Sequence, residues 1–283
     1  RVPVRTVEIN GQPIELTKLG DIAEVKVGLQ TGDNEAYLFQ NPAARGNYRS
    51  IEDYRQYLLT EEDLEKIRSN ERLRFSVIEN GISKDDPNSE RYFGGRYIVP
   101  YDKGGESDAR GGWMPCYHVP GGYYIRWDEE AVTCLMNERK LRSQSSKPYP
   151  RNPDYYYRAD VSFSDSGQYS PTYRISEKSV FDQKGSSIFF QQFQYNHLAV
   201  LCSRLNKLII RAFINHSVSS HVDCQKEIQF SAFIGKPMLR NKVSDILENQ
   251  KTNPRYDYAS NEQLEIDRLV YEAYGLNADD IRE

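Results

Sequence analysis

Cysteine is scarce. Cys116, Cys134, Cys202 and Cys224 are scattered through 283 residues with no CxxC pair, so neither a disulfide framework nor a common zinc module is expected. The nearest approach to metal spacing combines Cys116-Tyr117-His118 with His216, His221 and Cys224. Neither half has a familiar ligand spacing, so no metal site is expected. Cysteines used this way fit a reducing compartment, and a cytoplasmic location is the expectation. Long apolar runs are missing too. A membrane helix needs about 20 apolar residues, and the best candidate, Leu198 to Ile214, is broken by Cys202, Ser203, Arg204, Asn206, Lys207 and Arg211. The start, Arg1-Val2-Pro3-Val4, has no signal-peptide apolar region and no initiator Met. No secretory leader is expected from it, and a segment of a longer polypeptide fits it as well as a whole chain. Common catalytic signatures are also absent: GxSxG, Walker A, GxGxxG and HExxH do not occur. The net charge of -4 excludes a uniformly basic nucleic-acid binder.

What the chain does have is tyrosine, 21 of them, with charged residues at 28%. That composition points to a polar, Tyr-rich surface. Charge is also unevenly spread. Between residues 139 and 158 six bases (Arg139, Lys140, Arg142, Lys147, Arg151 and Arg158) face one acid, Asp154. A local +5 is enough to steer a polyanion, although a solvated helix end and linker would carry the same charges.

Length allows one large domain or two of ordinary size. Alternating apolar residues from Ile14 to Phe39 read as strands, and the Thr31-Gly32-Asp33-Asn34 tetrad between Val27 and Phe39 reads as a hairpin turn. Thr60-Glu61-Glu62-Asp63 starts a helix that ends near Asn70, and Asp128-Glu129-Glu130 starts another that runs to about Arg142. Between them, residues 80–122 form a long loop-rich section around a short strand at Tyr97–Val99, and such loops often carry function. Strands follow at Val161–Phe163, Tyr173–Ile175, Val180–Asp182 and Ser187–Phe190. Leu198, Leu201, Leu205, Leu208, Ile209, Ala212 and Phe213 have helical spacing, and Ser260–Gln263 reads as a capping box that opens a last helix ending at Gly275. The breaker Lys147-Pro148-Tyr149-Pro150 divides residues 1–146 from residues 147–283, or lies within one continuous domain.

Four segments carry chemistry, each with a plain alternative. Lys103-Gly104-Gly105-Glu106 suits a phosphate cradle or a simple turn. Lys184-Gly185-Ser186-Ser187 suits a phosphate nest or a hairpin turn. Asn152-Pro153-Asp154-Tyr155 approaches the Asn-Pro-Pro-Tyr motif of amino-methyltransferases, but Asp replaces the second Pro and no Gly-rich cofactor strand precedes it. The stretch from Asp154 to Tyr169 mixes rings, hydroxyls and an Arg, as phosphate and base-edge contacts require. A sugar-binding surface or a β-edge with half-buried tyrosines has the same composition.

In order along the chain, "LGDIAEVKVGLQTGDNEAYL", "YIVPYDKGGE", "NPDYYYRADVSFSDSGQYSPTYRI", "VFDQKGSSIF" and "EIDRLVYEAYGL" resemble the region C-terminal to the catalytic domain of large adenine-specific DNA methyltransferases. Such enzymes occur in type IIG and type ISP restriction–modification systems and in BREX phage defence (PglX). The resemblance runs in patches from Leu19 to Leu276 and implies a TaqI-like target recognition domain, which reads duplex DNA in the bacterial cytoplasm. An α+β fold is implied, a mixed β-rich recognition domain with long loops and packed helices toward the C-terminus that serve as spacer or docking elements. The S-adenosylmethionine-binding motif has no counterpart here, nor does a nuclease core. The chain alone is therefore not expected to methylate, and S-adenosylmethionine is expected only in the catalytic domain of the full-length protein.

On this reading Lys103, Arg139, Lys140, Arg142, Lys147, Arg151, Arg158 and Lys184 are candidates for phosphate contact. Gln30, Thr31, Asn34, Ser162, Ser164, Gln168, Ser186 and Ser187 are candidates for polar contact, and Gly28, Gly32, Gly104, Gly105 and Gly185 for shaping the loops. Expected partners are double-stranded DNA, the methyltransferase catalytic domain and other restriction or BREX subunits. A protein-docking module is the rival reading, and a carbohydrate-binding or hydrolytic protein is more distant.

Overall fold

The computed structural model describes residues 2–44, 46–104, 115–137, 148–164, 171–176, 179–214 and 222–282. The chain opens with β1 (Arg5–Ile9) and β2 (Gln12–Lys18), joined at Asn10 and Gly11, both with positive φ (51° and 73°). This is the Asn-Gly turn that matches strand twist in a two-residue hairpin. One-turn helix α1 (Leu19–Ile22), β3 (Ala23–Lys26), one-turn helix α2 (Asn34–Tyr37), β4 (Leu38–Gln40) and β5 (Arg49–Ser50) follow. Next come α3 (Glu61–Ser69) and α4 (Glu71–Asn80). Thr60 caps α3 through a reciprocal capping box with Asp63, and Asn70 ends α3 and accepts from Leu73 N to start α4. Then follow β6 (Ile98–Asp102), β7 (Tyr123–Arg126) and α5 (Glu129–Asn137), the last capped by Asp128, which accepts from Ala131 N at 2.9 Å.

The second half contains β8 (Val161–Phe163), β9 (Tyr173–Ile175), β10 (Val180–Phe181) and β11 (Ser187–Phe190). Helices α6 (Tyr195–Cys202), α7 (Arg204–Ile209) and α8 (Val222–Lys226), strand β12 (Gln229–Ser231), and helices α9 (Pro237–Thr252), α10 (Glu262–Ala273) and α11 (Ala278–Arg282) complete it. The fold is α+β. The single long helix expected from Leu198 is interrupted at Ser203, whose Oγ accepts from Asn206 N at 3.1 Å and so opens α7. No helix among the described residues is long and apolar enough to cross a membrane.

Three sheets form, in the orders β1-β2-β12, β10-β6-β7-β4-β5 and β3-β11-β8-β9. Pairing is antiparallel except for β10 with β6 and β4 with β5. One apolar core joins the four-stranded sheet to α6, α9 and α10 through Val25, Phe163, Ile188, Leu198, Leu239 and Val270. A second lies between the five-stranded sheet and α3 to α5, around Trp127, Ile125, Leu64, Val77, Tyr156 and Phe181. Both cores draw residues from either side of Lys147-Pro148-Tyr149-Pro150.

Val27 to Phe39 is not a hairpin. β3 belongs to the four-stranded sheet and β4 to the five-stranded one, so the segment carries the chain from sheet to sheet. Asp33 supplies the physical reason for the tetrad: its carboxylate accepts from Ala36 N at 3.1 Å and caps the single turn of α2. The chain crosses back between the same two sheets from β10 to β11, through residues 182–186.

Candidate functional site

The two crossings touch. Leu29 N donates to Phe181 O at 2.7 Å and Gln183 N donates to Leu29 O at 3.2 Å. A Cβ at Gly28 would sit 1.8 Å from Phe181 O, so only glycine permits the approach. The Lys103–Gly104 and Lys184–Gly185 turns meet in the same way. A Cβ on Gly104 would lie 2.3 Å from Gly185 Cα, and one on Gly185 would lie 2.3 Å from Asp102 O. Asp182 N donates to Asp102 O at 2.9 Å. The basic segment joins the same edge. Gln30 and Tyr149 exchange backbone hydrogen bonds at 3.1 and 2.7 Å, and Asn152 Nδ2 donates to Val27 O at 2.8 Å. The Asn152 amide, in the stretch that only approaches the methyltransferase motif, is thus committed to holding two loops together.

Cations along this edge lie over tyrosine rings. Arg151 sits 4.7 Å from the Tyr149 ring, and Lys26 and Arg158 sit 4.8 and 5.5 Å from that of Tyr155. Lys103 is half-buried between the rings of Tyr48 and Tyr123, at 5.3 and 5.1 Å. Stacking of this kind holds a cation in place; Lys26 is also ion-paired with Glu24 at 2.8 Å. Lys184 is exposed at the tip of its turn, where its backbone N donates to Asp182 Oδ1 at 2.8 Å.

The hydroxyl residues behave differently from expectation. Thr31, Ser162, Ser164, Ser186 and Ser187 are all buried. Thr31 Oγ1 donates to Asn34 Oδ1 at 2.5 Å, while Asn34 Nδ2 donates to Tyr48 Oη at 3.3 Å. Ser162 and Ser187 Oγ lie 3.1 Å apart across β8 and β11, Ser164 Oγ accepts from Thr172 Oγ1 at 3.2 Å, and Ser186 Oγ donates to Gln183 O at 3.4 Å. In this conformation these groups shape the loops from inside and do not present a contact to a macromolecule. Gln30 is half-buried beside them, and Gly32 turns the loop at φ 76°. Of the Tyr run, Tyr156 and Tyr157 are fully buried against Trp127 and only Tyr155 reaches solvent. Arg139, Lys140, Arg142, Lys147, Gln168 and Gly105 lie outside the described residues.

An open cleft adjoins the meeting of the turns, lined by Tyr101 to Gly104, Val119 to Tyr123, and Arg174, Ile175 and Ser179. Beneath it Arg174 Nη2 donates to Asp102 Oδ1 in a buried ion pair. Asp182, next to it, accepts from the Tyr101 hydroxyl at 2.9 Å. Burial pushes the Asp182 carboxyl up to about 6 despite these donors and the nearby Lys103 charge. Sequence reasoning points to Tyr155 through its Tyr-rich stretch, but not to Asp102, Arg174, Asp182 or Lys26. A usable signal was present, since both turns place an acid just before Lys-Gly: Asp102-Lys103-Gly104 and Asp182-Gln183-Lys184-Gly185. Among the described residues no group of three or more His, Cys, Asp or Glu side chains is placed to hold a metal ion; His216 and His221 are not among them. The chain matches no family model and no curated protein.

Proposed function

We propose that the chain reads duplex DNA as the target recognition domain of an adenine-specific DNA methyltransferase, in a restriction–modification or phage-defence system of the bacterial cytoplasm. The observation that carries this reading is the convergence of separate loops on one edge. Segments around residues 28–34, 102–104, 149–158 and 182–186 are far apart in sequence, yet hydrogen bond to one another and hold cations over tyrosine faces there. All four fall in or beside the stretches that resemble the methyltransferase family. Phosphates fix register through such cations, while sequence is read separately at base edges in the grooves. The catalytic domain, with its S-adenosylmethionine, would act on adenine flipped from the stack while this chain holds the surrounding duplex.

Lys103, Arg151, Arg158 and Lys184 are the described phosphate contacts of this reading. The helical side, where Leu208, Phe213 and Leu264 are exposed, is the side left for docking the catalytic domain or other subunits. Titrating the chain with a fluorescent duplex across a salt series tests the reading. Affinity should fall steeply with salt, and Arg151→Ala and Arg158→Ala should each reduce the log–log slope by about 0.9 if each arginine meets one phosphate. A salt-independent affinity rejects the phosphate contacts. Intact DNA binding with lost subunit assembly in those variants favours a docking module instead.

A further inference from the structure

The cleft over the Asp102–Arg174 pair has a use that phosphate contact does not fill. Tyr101, Tyr123, Val119 and Ile175 give it apolar walls, and its charged groups are Asp102, Lys103 and Arg174. Apolar walls with a few convergent polar groups are the usual make-up of a site for a small, flat, polar ligand. The Asp102 side chain is 12% exposed and that of Arg174 5%. Arg174 takes Asp102 Oδ1 and sends Nη1 to Ser164 Oγ at 3.4 Å. Oδ2 accepts no hydrogen bond among the described residues. A carboxylate paired with a guanidinium accepts and does not donate, so only a hydrogen-bond donor satisfies that oxygen.

The far wall is rigid. Tyr117, fully buried, stands at φ 74°, a conformation that a bulky side chain keeps only where its surroundings over-determine it. Side chains from α9, α10 and the segment between them do so. Gln250 Oε1 accepts from His118 N at 3.0 Å and its Nε2 donates to Cys116 O at 3.1 Å. Tyr258 Oη accepts from Cys116 N at 3.1 Å, and Tyr117 Oη donates to Gln263 Oε1 at 2.7 Å. The segment that runs directly into the Val119–Tyr123 wall is therefore pinned on three sides.

We propose that this cleft reads one base of the bound duplex, with Asp102 Oδ2 accepting from the exocyclic amino group of a cytosine or adenine and Lys103 on the neighbouring phosphate. The inference rests on the DNA-reading role. In the major groove cytosine N4 and adenine N6 are donors, whereas guanine O6 and thymine O4 would set acceptor against acceptor.

The test is selection of bound duplexes from a library with randomised positions, using the full chain, followed by sequencing. Asp102→Asn adds a donor at the same size, and it should lower the preference for an amino-bearing base at one position by roughly tenfold while leaving the salt slope unchanged. Because that change also disturbs the Arg174 pair, Val119→Trp, which fills the cleft and leaves the pair intact, serves as the second variant. It should lose preference at the same position. If both variants melt as the wild type does and keep its preference everywhere, or if the wild type binds duplex with no preference at any position, the cleft assignment is wrong. DNA binding weakened by Arg158→Ala would survive either result. If the wild type binds no duplex at low salt, the DNA reading falls and the cleft assignment with it.

Discussion

Tyrosines do two different jobs in two regions of this molecule. In the helical body they are pins: Tyr117 Oη donates to Gln263, Tyr173 Oη to Gln225 at 2.5 Å, and Tyr274 Oη to Gln229 O at 2.5 Å, all three side chains buried. Burial raises all three phenols, keeping them protonated donors. At the loop edge the rings of Tyr48, Tyr149 and Tyr155 instead offer their faces to Lys103, Arg151, Lys26 and Arg158. A buried hydroxyl must be paired, because an orphaned partner costs stability. A ring face under a cation needs no such pairing and tolerates exchange of what lies above it. The body is built for one arrangement, and the edge for contact.

The largest effect comes from the position that belongs to both regions. Gly28 lets the two crossings touch, and a Cβ there meets the Phe181 carbonyl head-on. Gly28→Ala should destabilise the whole chain by about 3 kcal/mol or more, read as a lower urea midpoint, because the obstruction is backbone and cannot rotate away. A wild-type midpoint would mean that the edge is separable from the body. Next in size is the contrast between a pin and a face. Tyr117→Phe leaves Gln263 Oε1 without its donor inside the core and should cost about 1–3 kcal/mol. Tyr155→Phe keeps the ring face and should stay within about 0.5 kcal/mol. Equal costs for the two would erase the distinction.

Local chemistry was legible where it acts within a few residues. Thr60 caps α3 and Asp128 caps α5, and the β8, β9 and β11 segments lie where β-branched and aromatic residues cluster, but the Ser260–Gln263 box does not form, since α10 starts after Asn261 with no side-chain cap. Misreadings have local causes too. Asn10-Gly11, the strongest short hairpin signal in the chain, makes the real hairpin, whereas Thr31-Gly32-Asp33-Asn34 uses turn residues to cap one helical turn. Helix α9, begun by Pro237 and giving Leu239, Val243 and Ile246 to the core, was not read, nor was Ser203 as a helix break. Sequence cannot tell a buried serine from an exposed one: Ser162 and Ser187 look like contact residues until β8 and β11 pair. The Asp102–Arg174 pair joins residues 72 apart, from the end of β6 to β9, and exists only in the folded chain.

The smallest effects compare one titrating group from each region, and their signs differ. At the edge, burial raises the Asp182 carboxyl to about 6. Its unfolded counterpart titrates near 3.9, so the folded state holds the proton more tightly. The stability this group contributes is present below about 4 and is lost as pH rises to about 6. In the body, His197 stacks on Phe190 at 4.6 Å with Phe230 across its edge, and burial lowers it to about 4. The unfolded imidazole takes its proton near 6.5, so its contribution is present above that value and is lost as pH falls toward 4. Asp182→Asn should therefore gain on the wild type as pH rises from 4 to 6, and His197→Phe should gain as pH falls from 6.5 to 4. The buried carboxyls of Asp160 and Asp267, also raised by burial, are present in all three proteins and cancel in each difference. Urea midpoints at half-unit steps of pH give both curves. Differences that run in the same direction would show that the edge and the body do not bury their titrating groups in the opposed way described.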